Sequence, residues 1–166
     1  MRKIRIIDLF AGLGGIRLGF EQACAERDIE VDCVLTSEIK PYAIQTLQHN
    51  HHHENFVGDI FQVKNEDIPD FDFLFGGFPC QPFSASGKRQ GFADTRGTLF
   101  FEIERIIQHK QPQGFILENV EGLVKHDLEN KSDDLGRTLS TILYKFEPSF
   151  KILNDGICYL FSILNS

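Results

Sequence analysis

Five short apolar runs, each leading into a glycine or an acid, constrain this chain more than any other feature. They are Ile4–Phe10, Val31–Thr36, Phe56–Val57, Phe71–Phe75 and Gly114–Leu117. Segments with helical spacing lie between them. Ile16–Ala23 puts Ile16, Phe20 and Ala23 on one face, Pro41 opens a helix to about His49, and Thr98–Gln108 turns Leu99, Ile103, Ile106 and Ile107 inward. A further helix is expected from about Leu135 to Phe146 and a sixth strand from Ile157 to Leu164. Alternation of this kind gives an α/β fold, a mostly parallel sheet with helices on both faces. In such sheets ligands bind at the carboxyl ends of the strands.

Composition narrows the class. With 166 residues and 42% hydrophobic content the chain can bury one core. No apolar run is long enough to span a membrane, and Met1-Arg2-Lys3-Ile4 leads into a strand. Cys24, Cys33, Cys80 and Cys158 form no CxxC pair, so neither a zinc site nor a disulfide framework is expected, and a reduced cytoplasmic setting is the simplest account. The formal net charge is −7, a poor balance for binding nucleic acid unaided, since phosphate contacts need Lys and Arg. His49 and His51–His53 suggest a metal site, a tag remnant or a solvated helix C-terminus; the last is expected, because cations suit that end of a helix dipole.

The polar residues at the strand ends carry the chemistry. Ala11-Gly12-Leu13-Gly14-Gly15 lets backbone approach a ligand and opens a helix. Glu38 ends the second strand, where an acid can accept hydrogen bonds from ribose hydroxyls, and Asp59 ends the third, positioned for an adenine amino group. Singly, each is an ordinary solvated acid; together with the glycine turn they suggest a nucleoside site. No GxxxxGK[ST] is present, so no triphosphate loop is expected.

A second site centres on Gly76-Gly77-Phe78-Pro79-Cys80-Gln81-Pro82-Phe83-Ser84. Two prolines stiffen the backbone around one thiol. Cys80 is either a buried structural cysteine or a nucleophile. Glu118 follows the neighbouring strand, so thiol and carboxyl can share a pocket. A thiolate can attack an electron-poor ring carbon while a carboxylic acid protonates the ring nitrogen. Glu118-Asn119 can equally be a turn or capping pair. None of the six histidines lies where a cysteine hydrolase would need its base.

These residues resemble the C5-cytosine DNA methyltransferases. Asp8-Leu9-Phe10-Ala11-Gly12-Leu13-Gly14-Gly15 is similar to that family's cofactor turn, Gly76–Ser84 to its Pro-Cys-Gln loop, and Glu118-Asn119-Val120 to its Glu-Asn-Val motif. Arg96, Leu99 and Phe100 fit its Arg…Leu-Phe segment. The resemblance implies a Rossmann-like methyltransferase fold, S-adenosylmethionine as cofactor and double-stranded DNA with a flipped cytosine as substrate. It implies catalytic roles for Cys80, Glu118, Asn119, Pro79 and Ser84. It implies cofactor contacts from Asp8, Phe10, Ala11, Gly12, Leu13, Gly14, Gly15, Glu38, Ile39, Asp59, Ile60, Gly77, Pro79 and Leu99. A DNA-contacting loop would present Gln81, Ser86, Lys88 and Arg89, the last two to phosphates. No metal is implied.

The chain ends before the family's Gln-x-Arg-x-Arg motif, with Ser162–Ser166 resembling the strand ahead of it. Residues 1–166 are therefore expected to form a partial S-adenosylmethionine-binding catalytic domain. Its sheet would be incomplete at the C-terminal edge, with no target-recognition domain. A truncated chain, a split enzyme with a complementing C-terminal polypeptide, and an interrupted gene all fit. Two alternatives stay open, a transfer-RNA cytosine methyltransferase and a catalytically silent cofactor-binding module.

Overall fold

The computed structural model describes residues 2–51, 55–78, 98–119, 150–154 and 158–163, with 123, 136, 139, 140 and 144. The elements in order are β1 (Arg2–Leu9), α1 (Gly15–Ala25), β2 (Ile29–Ser37), α2 (Pro41–Asn50), β3 (Phe56–Val57), β4 (Phe73–Gly77), α3 (Thr98–Lys110), β5 (Gly114–Glu118), β6 (Phe150–Asn154) and β7 (Cys158–Ile163). They build one sheet in the order β3-β2-β1-β4-β5-β7-β6. Strands β1 to β5 are parallel, as the alternation predicts. The order reverses between β1 and β4, which opens a crevice at their carboxyl ends.

Side chains on β1 alternate between two cores. Ile4 and Ile6 join Cys24 and Phe75 under α1, and Phe20 packs edge-on to Phe75 at 4.9 Å between ring centroids. Ile7 and Leu9 join the larger core on the other face, with Phe100, Ile103, Ile106 and Ile107 of α3. Leu74, Phe115 and Leu117 enter this second core, while Phe73 and Ile116 turn to the first. Strands β1, β4 and β5 thus send apolar side chains into both cores, which is why these runs read as nearly continuous apolar stretches.

Several elements differ from expectation. Gly76 and Gly77 lie inside β4 rather than after it, and Gly77 pairs with Glu118 across the ladder. A Cβ on Gly76 would sit 3.2 Å from Ile103 Cδ1, so the sheet needs a bare backbone there to let α3 approach. On α1, Ala23 is exposed and Cys24 is buried in its place, because the buried stripe runs Phe20 to Cys24 at i, i+4. The sixth strand is β7, antiparallel to β5. Strand β6 was not among the expected elements; it pairs antiparallel with β7 and lies at the sheet edge. Of the helix expected at 135–146, residues 139, 140 and 144 are helical, Gly136 is not, and the others lie outside the described residues.

Candidate active site

A cleft of about 420 Å³ opens at the carboxyl ends of the strands. Asp8 and Phe10 reach it from β1, Ser37 and Glu38 from β2, Asp59 from the end of β3, Gly77 from β4 and Glu118 from β5. Ala11, Gly12, Gly15, Ile39, Ile60 and Leu99 complete much of its wall, with Ile16 and Lys40.

The glycine turn is held by backbone and by Glu38. Ala11 N donates to Ser37 O (3.1 Å) and Gly14 N to Ala11 O (2.8 Å). Gly12 and Gly14 adopt φ of 56° and 80°, and Phe10, a non-glycine, has φ of 56°. Left-handed backbone at an aromatic residue costs about 1–2 kcal/mol, so Phe10 is held there by its surroundings. Glu38 is buried, and its carboxylate accepts from Gly12 N, Ile39 N and Lys40 N, each at 2.8 Å. It therefore fastens the β1 turn to the entry of α2 while facing the cleft. Asp59 Oδ1 accepts from Phe61 N at 3.0 Å and caps a short turn. Ser37 Oγ donates to Gly58 O (2.8 Å), which fixes Asp59 beside Glu38.

Asp8 is the electrostatic centre. It is buried, on the α1 face of β1, and its Oδ2 has no hydrogen-bond partner among the described residues. Burial drives its pKa up to about 7; the Arg17 guanidinium opposes this, and Glu21 and Glu38 add to it. Arg17 is buried in the first turn of α1, with its Nε 2.5 Å from Glu21 Oε1. His51 Nδ1 stands 3.8 Å from Glu21 Oε2. His51 corrects the expectation of a solvated helix end: its side chain is 9% exposed, against Gly14 and Glu21, and burial lowers its pKa.

At the other end of the cleft, Asn119 is buried and its Nδ2 donates to Phe78 O at 2.9 Å. Gly77 leaves room for Glu118, since a Cβ there would sit 3.3 Å from Glu118 Oε2.

Of the residues singled out in the sequence, the cleft gathers Asp8, Phe10, Ala11, Gly12, Gly15, Glu38, Ile39, Asp59, Ile60, Gly77, Leu99 and Glu118. Leu13 projects to solvent, 61% exposed, and Gly14 packs against Leu47 and His51 instead of lining the cleft. Pro79, Cys80, Gln81, Ser84, Ser86, Lys88 and Arg89 lie outside the described residues, as do Arg96 and Val120. Ser37, Lys40, Ile16 and the Arg17–Glu21–His51 cluster were not foreseen. Arg17 carried one signal, an arginine on the helix between apolar core positions.

The chain belongs to the C-5 cytosine-specific DNA methylase family, whose model matches residues 4–157. It is 54% identical over 159 residues to the Type II methyltransferase M.NgoBV of Neisseria gonorrhoeae, covering 93% of this chain and 38% of that protein. It is 59% identical over 152 residues to the Type II methyltransferase M.NlaX of Neisseria lactamica, covering 91% of this chain and 45% of that protein. The chain thus spans less than half the length of these relatives. In fold it is similar to the S. pombe Dnmt2 methyltransferase crystal structure, with a TM-score of 0.63 and 22% identity over 98% of this chain and 51% of that one. This agrees with a Rossmann-like methyltransferase fold. Among the described residues no helix is long and apolar enough to cross a membrane.

Proposed function

We propose that this chain is the cofactor-binding and nucleophile-bearing part of a DNA (cytosine-5-)-methyltransferase that uses S-adenosylmethionine, in a restriction-modification system. The observation that supports this most is the common cleft, in which Glu118 at the end of β5 faces the glycine turn at the end of β1. The wall also fits the cofactor. Glu38 offers acceptors for ribose hydroxyls and Asp59 an acceptor for an amino group. A Cβ on Gly12 would meet nothing within 4 Å, so that side of the turn is open to a ligand. The unpartnered Oδ2 of buried Asp8 suits a cationic group. Phe10, Ile39, Ile60 and Leu99 offer apolar contact to a ring. When bound, S-adenosylmethionine supplies an electrophilic methyl group.

In this proposal the Cys80 thiolate adds to C6 of a cytosine flipped from the duplex. The C5–C6 electron pair moves towards C5, and the Glu118 carboxyl gives N3 a proton. Once C5 carries the methyl group, water takes the C5 proton, the electron pair returns to C5–C6 and expels the Cys80 thiolate, and N3 hands its proton back to the Glu118 carboxylate. Asn119 holds the backbone next to Pro79, Ser84 supports the loop, and Lys88 and Arg89, with Gln81 and Ser86, meet DNA. A chain of net charge −7 needs more positive surface than this to hold DNA, so a complementing C-terminal polypeptide is part of the proposal.

The test is transfer of a tritiated methyl group to cytosine-containing DNA, with and without such a polypeptide. Incorporation at cytosine C5 with the polypeptide supports the proposal. Transfer to transfer RNA in preference to DNA overturns the substrate, and cofactor binding with no transfer to either leaves a silent binding module.

A further inference from the structure

Arg17, Glu21 and His51 form a polar cluster on the α1 side of β1 that the proposed chemistry does not use, and Asp8 of the cleft wall lies on that same face. Arg17 and Glu21 lie on the first turns of α1, and neither lines the cleft; Asp8 does. Asp8 shares the face of β1 on which α1 packs, with Ile4 and Ile6 ahead of it. Its Oδ2 has no hydrogen-bond partner among the described residues, so no N–H or O–H there holds it as a carboxylate. What acts on it is charge at one remove. The Arg17 guanidinium favours the ionised form, while Glu21 and Glu38 oppose it. Arg17 is itself held by the 2.5 Å bond to Glu21, and His51 approaches Glu21 from the C-terminal end of α2. Cys33 on β2 faces the same cluster; its thiol is pushed up by burial and held back mainly by its hydrogen bond to Thr36, with a further effect from Arg17.

We propose that Arg17 and Glu21 are positioning residues which set the charge on Asp8, and through it the affinity of the cleft for the cationic end of its ligand. The proposal rests on the S-adenosylmethionine reading of the cleft. With Asp8 ionised, the wall presents a negative charge in a low-dielectric setting, where it attracts a sulfonium or ammonium group strongly. With Asp8 protonated, that attraction is lost, while the contacts to a neutral nucleoside remain. Arg17 and Glu21 pull in opposite directions, so their removal should shift the same equilibrium in opposite senses.

The experiment is calorimetric titration of the whole chain with S-adenosylmethionine and, separately, with adenosine, from pH 5.5 to 8. In the wild type, affinity for S-adenosylmethionine should fall as pH drops through about 7, with adenosine affinity flat. Arg17→Gln should move that fall to higher pH and weaken S-adenosylmethionine binding at pH 7 by about fivefold. Glu21→Gln should move it to lower pH and tighten binding at pH 6, and it keeps the inference testable if Arg17→Gln does not fold. Adenosine affinity should stay unchanged in both. If both variants instead lose affinity for the two ligands alike at every pH, the cluster is only a scaffold and the inference is overturned. If the wild type takes up adenosine and S-adenosylmethionine with no pH dependence, the inference fails and the cofactor reading survives. If it takes up neither, both fall.

Discussion

Asn119 donates its side-chain amide to the carbonyl of Phe78 across 2.9 Å, and both residues are buried. The bond joins the residue after β5 to the residue after β4, so the carboxyl ends of these two neighbouring strands are tied together. Asn119→Ala leaves a buried carbonyl without this donor and should cost about 1–3 kcal/mol. Asn119→Asp should cost more at neutral pH, because a carboxylate oxygen would face a carbonyl oxygen. Urea unfolding midpoints check the order: wild type, then Ala, then Asp.

Glu38 accepts three backbone N–H groups, which a carboxamide cannot do in the same pose. If Glu38→Gln keeps its oxygen on Ile39 N and Lys40 N, its NH₂ confronts Gly12 N. The expected result is a loss of about 1–3 kcal/mol in stability, with cofactor affinity reduced more than tenfold by loosening of the turn. Calorimetry and urea unfolding on the same variant read the two effects.

The two left-handed glycines of the turn should respond unequally. At Gly12 a Cβ meets nothing within 4 Å, so Gly12→Ala carries only the conformational cost, about 1–2 kcal/mol. At Gly14 the added atom lies 3.0 Å from Leu47 Cδ2 and 3.1 Å from His51 Nε2, so Gly14→Ala should destabilise further. Equal unfolding midpoints for the two variants would contradict this packing.

Asp8 gives a pH dependence of unusual sign. Its folded pKa, about 7, lies above the ordinary value of 3.8. The native state therefore binds its proton more tightly than the unfolded state does. Ionised Asp8 is a burden that is absent below pH 3.8 and fully present above about pH 7. His51, whose pKa is lowered, acts oppositely as pH falls below its ordinary value of 6.5, so the wild-type curve mixes the two. Asp8→Asn should isolate the first, gaining roughly 2–4 kcal/mol on the wild type between pH 4 and pH 8. Chemical denaturation across that range measures the difference curve.

Much of this was legible because it is local. Strands buried on both faces must be apolar throughout, so Ile4–Phe10 and Gly114–Leu117 stand out, and the residues closing them fall at one sheet edge. What was hidden depends on partners distant in sequence. Cys24 rather than Ala23 faces the core because Phe75 and Ile6 are there to meet it. His51 looks like part of a polar helix end until α2 brings it against Gly14. Glu38 was read as a ligand contact, and its second task, gripping Gly12 N, needs a residue 26 positions away. Strand β6 did leave a trace, the Asn154-Asp155-Gly156 turn signal between two short apolar runs.

The central claim is that Cys80 is the nucleophile of a cytosine-C5 methyl transfer. The most direct measurement is incorporation of tritiated methyl into cytosine-containing DNA by the chain supplied with a complementing C-terminal polypeptide, wild type beside Cys80→Ala. Incorporation by the wild type and its loss in Cys80→Ala, by a factor of at least about 10³, is the expected result. Undiminished incorporation by Cys80→Ala would contradict the account.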